Sequence, residues 1–275
     1  MFAAVAVVPH LLDVAERRAE MKRVEQDLPA LNGRLLEVRG THVWTHIEPA
    51  RSGTARLRCA QLELEEDDAT VTLTLPNTGF WFGRNDLQLW LPKGSRVRFR
   101  VEAGGLHAER IDDVDLDFQT QAGTMHAERI SGRVRLHTKS GTIHVERLRG
   151  AFDVATMAGT IHLEIDDLIA GDHRARTYAG SLHCELAGHI EAHVEARATL
   201  GHVRNSARSY KDAVTRIELI SDVGGVRVEQ SKVSAPPADR CPPVTVEDIL
   251  ERVAKGLLGV EQADALLDRL ERKKK

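Results

Sequence analysis

The chain has 275 residues, 38 Lys and Arg against 41 Asp and Glu, a formal charge of −3 and 4% aromatic residues. A balanced charge argues against general nucleic-acid binding, which normally needs a basic excess. With few aromatics the core must rest on Val, Leu, Ile and Ala, which suits thin repeated walls, and the length allows one large domain plus a small appendage.

The N-terminal stretch "MFAAVAVVPHLLDVAERRAE" lacks a basic leader and its apolar run stops at Pro9, so it does not read as a signal peptide. No run approaches the roughly 18 apolar residues of a bilayer span. The expectation is a soluble, cytoplasmic protein without a transmembrane segment. Residues 10–27, "HLLDVAERRAEMKRVEQD", allow a short helix. Residues 34–101 read as strands, among them "RLLEVRGTHVWTHI", "ATVTLTL" and "RVRFRVE". Residues 1–101 are therefore read as an N-terminal β entry and cap module, which would cover an open strand edge. The aromatic cluster "GFWFGRN" at 79–85 is read as a plug at the end of the stack rather than a ligand site.

From residue 102 the chain repeats itself. "GTMHAERISG" at 123–132 is followed by "GTIHVERLRG" at 141–150, and related units start at Gly104, Gly159, Gly180, Gly201 and Gly224. The spacing of 18 to 23 residues between these glycines sets the architecture before any other signal. Within a unit the apolar period is two: Ile143 and Val145 alternate with His144 and Glu146, as in half-buried strands. Two strands per unit, in equal phase, predict coils that stack at roughly 4.8 Å. The predicted fold is all-β: a β-solenoid of six or seven coils over 102–230, with the N-terminal β cap and a small C-terminal α-helical hairpin. Leu106, Met125, Ile143, Ile161 and Leu182 would form one interior ladder, and Ala108, Ala127, Val145, Leu163 and Cys184 another. A hexapeptide helix is rejected because Arg149 falls where Ile143 predicts an aliphatic residue, and the calcium-binding nonapeptide is absent.

Residues 231–243 form a linker with four prolines within 236–243, an extended spacer. Residues 244–275 read as two short helices interrupted by Gly256 and Gly259, ending in a basic tail. Thr245 and Asp248 stand at capping-box spacing. Ile249, Val253, Leu258, Leu266, Leu267 and Leu270 give an apolar face too small to be stable alone, so it is assigned to a partner: another copy of the chain or a different protein. The tail "RLERKKK" allows weak attraction to a membrane surface. Cys59, Cys184 and Cys241 are dispersed and without a CxxC pair, which indicates free thiols rather than a disulfide framework or thiolate site.

"LQLWLPKGSRVRFRVEAGG", followed by units ending in T-x-x-G (Thr120 to Gly123, Thr138 to Gly141, Thr156 to Gly159, Thr177 to Gly180), resembles the bacterial putative-adhesin β-strand-repeat family of unknown function. The final hairpin resembles the short helical oligomerisation-type domain often attached to it. The resemblance covers roughly 85–270. It implies a right-handed-type β-solenoid without an established catalytic activity, and in some relatives a link to cell-envelope stress.

One pattern stands out as a candidate site. His107, His126, His144, His162 and His183 occupy the same place in five units, each followed two residues later by Glu109, Glu128, Glu146, Glu164 or Glu185. Both sets alternate with the interior ladders and so face outward as a two-column stripe. Three readings compete: a solvated face, a zinc-binding stripe, or an interaction face whose charge changes near neutral pH. Arg204 and Arg227 replace His in the last two units. Asp113, Asp115 and Asp117 in "IDDVDLDF" are read as a solvated face, because tight turns leave no room for a hydrolase cleft. No GxSxG element, phosphate loop or dinucleotide fingerprint is present. The sequence thus predicts a non-enzymatic scaffold or interaction protein with no required cofactor. The alternative is a metal- or carbohydrate-binding solenoid using the outward stripe.

Overall fold

The structure is a computed structural model, and it describes residues 24–31, 33–76 and 85–231 together with Ile249, Val253 and Ala263. The described residues are all-β, with essentially no helix. Among them no helix is long and apolar enough to cross a membrane.

Two ladders of parallel strands carry the architecture. The first holds β2 (Leu35–Pro49), β7 (Arg96–Glu109), β8 (Val114–Ala122), β10 (Ser131–Ser140), β11 (Ile143–Ala158) and β13 (Gly171–Ala179), each beside the next. The second shares β2, β7 and β11, and adds β9 (Met125–Glu128), β12 (Ile161–Leu168) and β14 (Leu182–Leu186). Because β7 and β11 lie in both ladders, the pairings β7–β8–β10–β11–β9–β7 close on themselves as a five-strand parallel barrel, and the other strands extend it.

The alternating pattern explains the interior. Leu106, Met125, Ile143, Ile161 and Leu182 lie side by side and buried, as do Ala108, Ala127, Val145, Leu163 and Cys184. The first ladder contributes Phe99, Phe118, Leu136, Val154 and Ala175, also buried. Inward side chains therefore stack on like side chains.

The repeated glycine marks a point of close backbone approach. At Gly159 φ is +147°, and a Cβ there would lie 1.9 Å from the carbonyl oxygen of Gly141, one rung away. Gly141 stands in the same relation to Gly123, at 1.8 Å. Only glycine tolerates both the left-handed backbone and the contact. The decapeptide recurs because each turn packs on its own copy.

At both ends the spatial order departs from chain order. β15 (His193–Leu200) and β16 (Val203–Asn205) precede β17 (Thr215–Val223) and β18 (Val226–Gln230) in the chain. In space β17 lies between β13 and β15, and β18 between β14 and β16. The last-made rung thus fills a gap beneath the one before it. At the other end β2 lies between β7 and the later strands β5 (Thr70–Thr74) and β6 (Asn85–Leu91). There β3 (Arg56–Cys59) and β4 (Glu63–Glu66) pair antiparallel with β6 and β5, turning the edge away from further parallel addition.

The strand ladder runs through 101–102, inside β7, and β2 continues the repeat stack. Of the helix predicted over 10–27, residues 24–27 instead form a strand, β1 (Val24–Asp27), antiparallel to β3. Arg56 on β3 binds Glu25 and Asp27 across that pairing, an exchange a helix would not offer. The rest of 10–27, the aromatic segment 79–84 and the linker from 232 onward lie outside the described residues. So do Leu258, Leu266, Leu267 and Leu270. Ile249, Val253 and Ala263 have helical backbone, but no two-helix hairpin is shown. Ile249 and Ala263 are buried with Ala170 and Val214, and Val253 packs against them.

Candidate functional site

The outward face of the second ladder brings the five predicted histidines into one column. His107 is register-paired with His126, His126 with His144, His144 with His162 and His162 with His183. Their ring centroids are 5.1, 5.2, 4.6 and 4.8 Å apart in that order. The structure adds His46 from β2, 4.9 Å from His107. Its sequence signal was the H-x-E of "HIE" at 46–48, obscured because Val43 stands where the repeats have glycine. Gln88 flanks His46 on the outer side. At the far end Arg227 lies beside His183 and Arg204 beyond it, the reverse of chain order.

The glutamates form the companion column. Glu109 is paired with Glu128, Glu128 with Glu146, Glu164 with Glu185 and Glu185 with Glu229. Ring nitrogen and carboxylate meet along four of the strands: 2.9 Å for His46 and Glu48, 2.5 Å for His107 and Glu109, 3.2 Å for His144 and Glu146, 3.5 Å for His162 and Glu164. His183 lies nearer the next rung, 3.7 Å from Glu229. The hydrogen bond from His107 holds the Glu109 carboxyl below the usual carboxylate range. Burial, with His162 adding to it, pulls His144 below the ordinary imidazole value.

The first ladder solves the same stacking problem differently. Glu37, Arg98, Asp117, Arg135, Asp153, Arg174 and Glu218 follow one another in register, and their charges alternate at every step. Asp117, expected to be solvated, is 6% exposed. It is reached by Arg100 at 3.2 Å and Arg98 at 3.5 Å. Asp115 meets Arg135 at 3.5 Å, whereas Asp113 is exposed. Opposite charges on neighbouring strands stabilise a sheet, and like charges directly opposite destabilise it. On the His–Glu stripe His lies over His from His46 to His183, and Glu over Glu except where a register shift after Val145 leaves Glu146 out of register with Glu164.

His126, His144 and Glu146 each offer one ligand atom, and these three atoms lie within 4.8 Å of one another. Of the partner residues proposed from sequence, Leu258, Leu266, Leu267 and Leu270 lie outside the described residues. Ile249 and Val253 pack on their own chain. On the first ladder an open hollow of about 450 Å³ is lined by residues including His137, Met157, Arg176 and Tyr178; Met157 and Tyr178 are exposed.

No family model and no curated protein matches the chain. Solved structures do. A putative cell adhesion protein from Clostridium sporogenes is 13% identical, over 76% of this chain and 99% of that one, with a TM-score of 0.34. Putative adhesins from Bacteroides fragilis (9% identical, 76% and 97% covered, TM-score 0.29) and Parabacteroides distasonis (12%, 76% and 97%, 0.35) are also similar.

Proposed function

We propose that this chain is a non-enzymatic interaction scaffold, a β-solenoid in which each two-strand unit is one coil and the two parallel ladders are its walls. The observation that carries the reading is the continuity of its outward columns. From Gln88 to Arg204 one face presents side chains in register over nine rungs. A solenoid presents such a surface to a partner as a rigid, extended plane. The link to envelope stress rests on the family resemblance alone.

Self-association through the C-terminal residues is the form of interaction first to be tested. Sedimentation velocity on the full chain and on a chain ending at residue 235 is the experiment. Assembly of the full chain with a monomeric truncation supports docking through that segment. Two monomers would remove self-association and leave the columns as the surface for other partners. A second reading, the outward stripe as a ligand for metal, is favoured by the proximity of His126, His144 and Glu146.

A further inference from the structure

We infer that the His–Glu stripe binds a divalent transition metal ion of the zinc class, with a site at His126, His144 and Glu146. Three observations converge on it. The first is the ligand set: two imidazoles from adjacent rungs and one carboxylate, with donor atoms inside 4.8 Å of one another. Zinc holds nitrogen and oxygen ligands at roughly 2.0–2.2 Å and accepts three protein ligands plus a water. Donor atoms around one ion therefore sit roughly 3.4 Å apart, which modest turns of half-buried side chains can reach.

The second is an unpartnered ring nitrogen. Nε2 of His144 is buried and has no hydrogen-bond partner, a condition shared by His183 on the stripe and by His137 on the other ladder, where no second imidazole and carboxylate among the described residues converge with it. Glu146 Oε1 lies 3.2 Å away but out of line for a bond. A buried ring nitrogen without a partner is costly, and it is the atom a metal would take.

The third is the contrast between the two ladders. One column of the first ladder alternates charge at every step from Glu37 to Glu218, although like charges do meet elsewhere on that ladder, at Arg39 and Arg100 and at Glu218 and Glu195. On the stripe the chain stacks carboxylate over carboxylate beside imidazoles that are uncharged unless protonated. Cations placed between the columns would neutralise the glutamates and use the imidazole lone pairs together. Carboxylate and imidazole suit zinc and its neighbours.

The inference goes beyond the scaffold reading, since metal binding and self-assembly can fail separately. Its test is calorimetric titration of the tag-free full chain with zinc chloride, paired with the visible absorption of the cobalt(II) form. The expected result is saturable binding of at least one ion per chain and the bands of low-coordinate cobalt. Replacing His144→Gln should weaken zinc binding about tenfold or more, His126→Gln likewise, and His137→Gln, on the other ladder, should leave it unchanged. Far-UV circular dichroism checks each fold; should H144Q not fold, H126Q and E146Q read the same site. Zinc binding that is absent, that persists in the folded variants, or that falls equally in H137Q would overturn the inference.

Discussion

His173 occupies a position where every neighbouring rung carries a hydrocarbon side chain. It stands in register with Ile217, in the column that also holds Val134 and Phe152, and is 2% exposed. Its ring lies 5.2 Å from that of Phe152. Nε2 donates to the carbonyl of Ile169 at 2.9 Å, and Nδ1 accepts from the Phe152 amide at 3.4 Å. That fixes the neutral tautomer, and burial pulls the group down to about 4, against a smaller opposing effect of the Ile169 bond and the Asp172 carboxylate. In the unfolded chain it titrates near 6.5. The unfolded state therefore takes up a proton between these values that the folded state refuses. Stability is complete above about pH 6.5 and falls as pH drops toward 4. Each pKa step is worth ~1.36 kcal/mol, so the loss across this window is about 3 kcal/mol. Urea unfolding of wild type and His173→Gln from pH 7.5 to 4 isolates the effect, because the carboxylates titrate in both. Gln keeps a donor and an acceptor; it should cost about 1–2 kcal/mol at pH 7.5 and lose the excess acid sensitivity. Parallel stability curves for the two proteins would refute the reasoning.

Gly159→Ala forces a Cβ to within 1.9 Å of a backbone oxygen and should cost at least about 3 kcal/mol in thermal or urea unfolding. Gly171→Ala, also at positive φ but with open space around it, should cost only about 1 kcal/mol; equal effects would remove the close-packed glycine column. Burial pushes the Cys59 thiol up to about 11 and that of Cys184 to about 12. Iodoacetamide at pH 8 should therefore leave both unmodified in the native protein and label them in urea, as read by peptide mass spectrometry. Asp117→Asn leaves Arg98, Arg100 and Arg135 without their shared carboxylate and should destabilise by about 2 kcal/mol; a neutral result would mean the alternating column is solvated.

The sequence made the periodic part of this molecule readable. Alternation in "GTIHVERLRG" put Ile143 and Val145 inward and His144 and Glu146 outward, and equal phase brought five histidines into one column. What escaped was set by pairings between distant strands. His46 was missed because Val43 holds the place of the repeat glycine, which hid the pairing of β2 with β7. The alternating column went unread although the repeat supplies it: Arg98, Asp117, Arg135, Asp153, Arg174 and Glu218 each stand six residues before a repeat glycine, but sign alternation breaks the likeness between units. The exchanged order of the last rungs left no local trace. Arg204 and Arg227 carry similar flanking residues, and only the pairing of β18 with both β14 and β16 tells which lies inside.

One column runs continuously from His46 to Arg204, with Arg227 lying inside Arg204. Spin labels on cysteines placed at 46 and 204, and separately at 46 and 227, in a chain whose native cysteines are replaced, measure it by dipolar spectroscopy. Seven rung steps separate the first pair and six the second, roughly 34 and 29 Å at the strand spacing. Two narrow distributions are expected, with the 46–204 distance longer by about one rung, roughly 5 Å. A longer 46–227 distance, or broad distributions for both, would contradict it.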